Sequence, residues 1–160
     1  RGPVNELLDF FGIEAVNWLT GSLRPLLVVS FVNVWKDVGY FMVIFYAGIM
    51  NIPRNLYEAA QVDGAGPMQC FCHIRLPNLK GITYLVVTLG TIWTFQTFDL
   101  VQVMTGGGPG TATTTLVLTI YRAAFKEYRM GYASAIAVLL LVFILLLSFL
   151  QKRLMKGGEE

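Results

Sequence analysis

The chain has 160 residues, of which 55% are hydrophobic and only 14% charged, with a mean hydropathy of +0.60. A soluble domain carries about 25% charged residues, so charge here is too sparse to coat a water-facing surface, and a bilayer is the expected solvent. The formal net charge of +2 is small and by itself says nothing of nucleic acid, but no run of Lys or Arg resembles a phosphate-binding stripe, so no nucleic-acid partner is expected.

In chain order, a lead-in of residues 1–25 shows no signal-peptide pattern, and a first residue that is Arg rather than Met suggests a piece of a longer or processed chain. Three apolar stretches follow, at 26–50, 81–104 and 132–150, and each reads as a membrane-spanning helix. The first would be about 37 Å long as a helix, where a bilayer core needs about 20 residues. Trp18 and Tyr132 stand where an interfacial aromatic belt would want them. Three spans put segment 51–80 and the tail 151–160 on one side of the membrane. That side holds Arg54, Arg75, Lys80, Lys152, Arg153 and Lys156; the other holds Arg1, Arg24, Arg122, Lys126 and Arg129. The positive-inside rule therefore leans toward a cytoplasmic 51–80 segment.

That segment contains "EAAQVDGAGPMQCFCHIRLP" (58–77). Pro53 suits a first helical turn, "RNLYEAAQVD" reads as a short helix, Gly64 as its left-handed stop, and "PMQCFCHIRL" as a second helix closed by Pro77. Leu56, Ala59, Ala60 and Asp63 recur at spacings of three and four. The result is a compact element with few large side chains, able to enter a groove on another protein. Cys70 and Cys72 do not form a CxxC pair, and His73 is the lone histidine, so no metal site is expected.

Within the first stretch, Ser30, Asn33, Lys36, Asp37 and Tyr40 fall within about 120° on a helix, a polar stripe opposite Val28, Phe31, Val38 and Phe45. Charges at membrane depth usually face a bundle interior or an aqueous cavity. In the second stretch Gly90, Trp93, Thr94 and Thr97 share one face, and Gln96, Asp99 and Gln102 another. Such polar residues either pair across the bundle or line a solute path. Ala133, Ser134, Ala135 and Ala137 read as close-packing positions. "GGGPGTATTT" (106–115) lacks the Lys of a phosphate-binding P-loop, so ATP hydrolysis by this chain is not expected; Gly106 to Gly110 reads as a flexible turn. No clustered acid–base or metal set marks an enzyme.

The spacing E-A-A-x3-G-x9-I-x-L-P, on Glu58, Ala59, Ala60, Gly64, Ile74, Leu76 and Pro77, resembles the EAA loop of binding-protein-dependent ABC importer permeases. "IPRNLYEAA", "VDGAG", "FDLVQVMTGGGP", "YRAAF" and "GYASAIAV" extend the resemblance to the carbohydrate-uptake branch, related to maltose and glycerol-3-phosphate permeases, over nearly all of residues 5–153. The resemblance implies an all-α integral membrane protein of the cytoplasmic (inner) membrane of a bacterium or archaeon. It would be the C-terminal portion of a type I importer transmembrane domain, with further N-terminal spans and a cytoplasmic coupling helix and C-terminus. It implies that Glu58 pairs with a basic group on a separate ATP-binding subunit, that Ala59 and Ala60 allow close approach, and that Gly64 makes the elbow. No cofactor is implied in this chain, since the partner ATPase dimer would bind ATP and Mg. The other implied partners are a second, homologous permease subunit, an extracytoplasmic solute-binding protein, a small carbohydrate and membrane lipid. By the same resemblance Asn33, Asp37, Tyr40, Gly90, Trp93, Thr94 and Thr97 would line the solute path. Lys36 departs from that pattern: paired with an Asp it fits a neutral sugar, whereas free it fits an anionic sugar or glycerol phosphate. An ion-coupled secondary transporter using Lys36, Asp37 and Asp99 as a relay is the alternative reading.

Overall fold

The structure, a computed structural model, describes residues 2–156; of the charges weighed above, Arg1 lies outside the described residues, as do residues 157–160 of the tail. The described residues form helices and no strand. α1 (Pro3–Phe10) starts with proline in its first turn, where the missing N–H would have no helical partner. The loop after it folds back: Asn5 Oδ1 accepts from Val16 N–H at 3.2 Å and from Trp18 Nε1–H at 2.9 Å, and Asn5 Nδ2 donates to the Val16 carbonyl at 3.0 Å.

α2 (Arg24–Met50) and α9 (Met130–Lys156) have 27 residues each and are long and apolar enough to cross a membrane. At 1.5 Å per residue each is about 40 Å long. Their apolar side chains stay largely uncovered, with Phe31 72% and Leu139 68% exposed. Water would penalise that surface by about 25 cal/mol per Å², whereas hydrocarbon would not.

The stretch expected as one span at 81–104 is not one helix. α6 (Lys80–Phe95) ends before Gln96, and α7 (Asp99–Met104) resumes after Phe98. Threonine chemistry gives the reason. The hydroxyls of Thr91, Thr94 and Thr97 donate to the carbonyls of Val87, Gly90 and Trp93, four residues back, at 2.7, 2.8 and 3.1 Å. Such back-bonding weakens and bends a helix, and it is densest at this end of α6; Thr83, which bonds back to Leu79 alone, leaves the helix intact.

Between α2 and α6 lie α3 (Arg54–Val62), α4 (Pro67–Cys70), a π-helical stretch (Phe71–Arg75) and α5 (Leu76–Asn78). Pro77 does not close the second helix as the sequence suggested. It sits in the first turn of α5, and the chain runs almost without pause into α6. A proline cannot donate to the ladder, and the widened π turn just ahead of it absorbs the missing bond. α8 (Leu116–Tyr121) leads through a second π-helical stretch (Arg122–Lys126) into α9.

α6 packs against both α2 and α9. At its base a Cβ on Gly48 would stand 2.0 Å from Ile82 Cδ1 and 3.0 Å from Leu79 Cδ2, so glycine is what lets α2 approach so closely. Along the antiparallel α6–α9 seam, Phe95 meets Phe143 edge-on with centroids 5.2 Å apart, and Gln151 Nε2 donates to Thr91 Oγ1 at 2.8 Å. Val29, Val101 and Leu118 bury a cluster joining α2, α7 and α8, while Ala123, Ala124 and Ala133 bury a second one under the turn into α9. Of the four small residues expected to pack on α9, Ala133 does; Ser134, Ala135 and Ala137 are exposed. Ala133 packs where Ala123 and Ala124 face it; farther along the helix Leu140 and Ile144 are the buried positions.

Candidate functional site

Two groups of residues stand out, one between α2 and the α6–α7 break and one on segment 51–80. The first is a cavity of about 220 Å³ lined by Asn33, Lys36 and Asp37 of α2 and by Trp93, Gln96, Thr97 and Asp99 of the α6–α7 break. Asn33 and Asp37 are one helical turn apart, and Asn33 Nδ2 donates to Asp37 Oδ2 at 3.3 Å. Lys36 Nζ lies 3.8 Å from Asp99 Oδ2 across the cavity. The sequence put Gln96 and Asp99 on a different face from Trp93 and Thr97. The structure brings all four together, because the helix breaks at Gln96 and the chain swings its next residues to the same side.

Tyr40 and Trp93 pack at a tilt of 49° with centroids 4.9 Å apart, and Phe41 lies 5.4 Å from Trp93. Gly90 faces this cluster, where an added Cβ would rest 3.5 Å from the Phe41 ring. Thr94 borders a neighbouring cavity of about 250 Å³ that shares Asn33 and Thr97 with the first and is otherwise mainly apolar. Of the seven residues expected to line a path, Asn33, Asp37, Trp93, Thr94 and Thr97 border these two adjoining spaces, while Tyr40 and Gly90 belong to the ring cluster beside Trp93 and line neither. A carboxylate and an amide supply partners for hydroxyls, and packed rings supply an apolar face, the combination suited to a polyol or sugar.

Behind the cavity is a network the sequence reading missed. Thr115 caps α8 by accepting from Leu118 N–H at 3.3 Å, and the same hydroxyl donates to the Thr97 carbonyl at 3.0 Å, one of those freed where α6 ends. Thr113, buried at 3% exposure, donates to the Gly108 carbonyl at 2.9 Å and lies 2.7 Å from the Thr105 hydroxyl. Thr114 donates to the Gly107 carbonyl at 3.1 Å, and the Arg122 guanidinium donates to the Gly106 carbonyl. The glycine turn expected to be flexible is therefore bonded from Gly106 to Pro109. A threonine just ahead of an apolar run was the available signal for the cap. Nothing in the sequence marked Arg122 as the clamp.

The second group is an exposed helix–elbow–helix. α3 ends in two bonds that satisfy its last carbonyls: Ala65 N–H to the Ala60 carbonyl at 2.8 Å and Gly64 N–H to the Gln61 carbonyl at 3.1 Å. Gly64 has φ +73, which glycine adopts without strain. The Gln69 side chain accepts from Gly66 N–H at 2.9 Å and starts the second arm. The Arg75 guanidinium sits 5.7 Å from the Tyr57 ring centroid and ties the two arms. Ala60 and Ile74 meet in a cleft of about 270 Å³ with Asp63, Ala65, Gln69, Cys70 and His73. Cys70 Sγ lies 3.9 Å from the Ala65 carbonyl, and Cys72 is exposed. Glu58 and Ala59 point outward, as do Leu76 and Pro77 at the foot of α6. Among the described residues Glu58 makes no hydrogen bond or ion pair, and no group of three His, Cys, Asp or Glu side chains could hold a metal.

An all-helical body with apolar spans, a polar cavity between them and an exposed two-armed loop is the form of a membrane transport component. The chain belongs to the family of binding-protein-dependent transport system inner membrane components, which it matches over residues 10–157. It is 39% identical to the probable ABC transporter permease protein YurN of Bacillus subtilis, over 99% of this chain and 55% of that protein. It is 36% identical to the sulfoquinovosyl glycerol transport system permease protein SmoG of Agrobacterium fabrum, over 99% of this chain and 51% of that one. The fold aligns with a TM-score of 0.74 and 26% identity to a chain of a bacterial ABC transporter involved in the import of the acidic polysaccharide alginate, covering 98% of this chain and 55% of that one. The chain thus spans about half the length of the relatives it matches. The all-α, membrane-integral reading and the permease family agree with the resemblance carried by the EAA spacing.

Proposed function

We propose that this chain forms part of the permease subunit of an ATP-driven importer of the cytoplasmic membrane. A sugar or polyol passes along the Asn33–Trp93 cavity, and segment 51–80 couples the spans to a separate ATPase dimer. α2, α6 with α7, and α9 act as the three spans, and segment 51–80 lies on the cytoplasmic side with the C-terminal tail. A second, homologous permease subunit completes the path, and an extracytoplasmic solute-binding protein delivers the solute. The subunit carries out no covalent chemistry, and ATP and Mg belong to the ATPase.

The observation that carries this reading is the exposed pair of short helices. An outward Glu58 beside two alanines, held rigidly by the Gly64 elbow and the Tyr57–Arg75 contact, is shaped to be received by another protein. The test is copurification of an ATP-hydrolysing subunit with the full-length protein from membranes. The wild type is expected to retain it and Glu58→Lys to lose it; an ATPase bound equally to both removes Glu58 from the interface.

Charge in the cavity narrows the solute. One ammonium, Lys36, faces two carboxylates, Asp37 and Asp99, and is already paired with Asp99. An anionic solute would meet an excess of negative charge, so a neutral polyhydroxy solute fits better, whatever the relatives carry. Asn33→Leu with Trp93→Ala is expected to raise the KM for uptake by about tenfold or more, since each removes a hydrogen-bonding or ring contact of about 1 kcal/mol. Assembly should be unaffected, and an unchanged KM moves the path elsewhere. The ion-coupled alternative finds no support in the family or the relatives.

A further inference from the structure

We propose that the turn between α8 and α9 is a lipid-headgroup anchor, in which exposed rings sit at the membrane interface while Lys126 and Arg129 hold lipid phosphates. The proposal rests on α9 being a span, and it is independent of the solute and of the ATPase.

Position comes first. α9 begins at Met130 and is apolar from there, so the turn just before it lies within about one helical turn of where the hydrocarbon starts. Because α6 and α9 run antiparallel, this is the end of the molecule remote from segment 51–80.

Chemistry comes second. Phe125 is 61%, Tyr128 82% and Tyr132 49% exposed, while the alanines beneath them are buried. The turn has its own small-residue base; Phe125 also touches the Tyr121 ring, with centroids 5.4 Å apart, whereas Tyr128 makes no ring contact among the described residues. Tyr128 has φ +56, a conformation costly for a bulky residue, and two backbone bonds impose it: Glu127 N–H to the Arg122 carbonyl at 2.9 Å and Arg129 N–H to the Ala123 carbonyl at 2.8 Å. Glycine or asparagine would sit there with less strain, so an aromatic ring held outward at that cost serves something outside the chain. Tyrosine with an apolar body and polar tip is the residue of membrane–water interfaces.

Charge comes third. Arg122 is turned inward onto the Gly106 carbonyl and is not available. Lys126 is exposed and forms no ion pair among the described residues. The Arg129 guanidinium lies 4.7 Å from the Tyr132 ring centroid and 3.7 Å from Glu127, with both partners of that ion pair largely exposed. Two cations against one carboxylate leave the turn net positive, complementary to phosphodiester headgroups. A protein partner would instead need the exposed rings covered, and that becomes an outcome of the test.

The experiment uses the full-length protein in its native assembly, in lipid nanodiscs containing phosphatidylglycerol. A nitroxide is placed at Phe125→Cys or Tyr128→Cys in a cysteine-free background, with Glu14→Cys, in the exposed loop before α2, and Leu145→Cys as water and hydrocarbon controls. Relative accessibility to oxygen and to a water-soluble nickel chelate is expected to fall between the two controls. A label as open to the chelate as the Glu14 control, or one shielded from both reagents, overturns the proposal, the latter in favour of a protein-covered surface. Independently, Lys126→Gln and Arg129→Gln are each expected to lower the phosphatidylglycerol retained on purification about fivefold. Retention that is unchanged by both substitutions, or abolished by millimolar inorganic phosphate, also overturns it. Tyr128→Gly relieves the backbone strain, so the variant should fold at least as well, yet the Phe125 label should move toward water. A Phe125 label that stays put in Tyr128→Gly removes the ring from the anchor.

Discussion

The two loops of this chain, 51–80 and 105–122, have opposite constructions. In 105–122 nearly every polar group finds a partner inside the loop or on the break of α6: three threonine hydroxyls bond glycine or helix-end carbonyls, and Arg122 closes the ring onto Gly106. In 51–80 the bonds are local caps, and only Ile52 and Leu79, at its two ends, are buried. A loop that satisfies itself transmits position as a rigid body. A loop that leaves Glu58, Ala59, Leu76 and Pro77 on its surface is finished by whatever binds it. The contrast predicts different kinds of damage, functional at 51–80 and structural at 105–122.

The largest functional effect is expected at Glu58. If a basic group on a partner receives its carboxylate, Glu58→Lys places like charges together, a reversal that costs roughly 2–5 kcal/mol when the pair is desolvated. Uptake should fall by about 100-fold or more, while the amount and thermal stability of the purified protein stay at wild-type levels. A parallel loss of stability would mean that 51–80 is as self-contained as 105–122, and the comparison would fail.

In the other loop the expected damage is to the fold. Gly107 has φ +88, and an added Cβ would lie 2.8 Å from Thr114 Oγ1, 2.9 Å from the Arg122 guanidinium and 2.9 Å from Leu118 Cδ2. Gly107→Val combines left-handed strain with displacement of the clamp, at about 3 kcal/mol or more. A large drop in the midpoint of thermal unfolding in detergent checks it. Thr113→Val is the milder version. It keeps the shape but leaves the Gly108 carbonyl and the Thr105 hydroxyl short of a partner in a buried place, costing about 1–3 kcal/mol. A midpoint shift smaller than that of Gly107→Val but clearly resolved is the expected result; no shift would mean that water replaces the hydroxyl and the loop is looser than it looks.

Much of this contrast was legible before the fold was known. The Gly64 elbow followed from glycine's access to positive φ, and the polar stripe of Asn33, Lys36, Asp37 and Tyr40 from helical periodicity. Both depend on chemistry within about ten residues of sequence. What the sequence hid depends on distant partners. The break after Phe95 falls where Thr91, Thr94 and Thr97 bond back to the helix, although the sequence marked Thr94 and Thr97 only as a polar face; the break carried Gln96 and Asp99 into the cavity against the helical-wheel assignment. The glycine turn was read as flexible because its restraints come from Thr113, Thr114 and Arg122, five to sixteen residues away along the chain.

The smallest effect is expected at the ion pair inside the cavity, and it decides the solute's charge. Lys36 and Asp99 face each other at 3.8 Å with side chains 48% and 76% exposed, so the pair should stabilise the fold by no more than about 1 kcal/mol. Lys36→Gln should therefore leave unfolding almost unmoved. For a neutral polyol, held by Asn33, Asp37 and the Trp93 ring, the KM for uptake should change by less than about threefold, since no full charge–charge contact is lost. For an anionic solute Lys36 would be the only cation in the cavity, and its removal would strand a charged group beside Asp37 and Asp99. The KM would then rise by well over tenfold, with stability still unchanged. Because the two outcomes separate in KM while agreeing in stability, the substitution reads the solute's charge and not the integrity of the site.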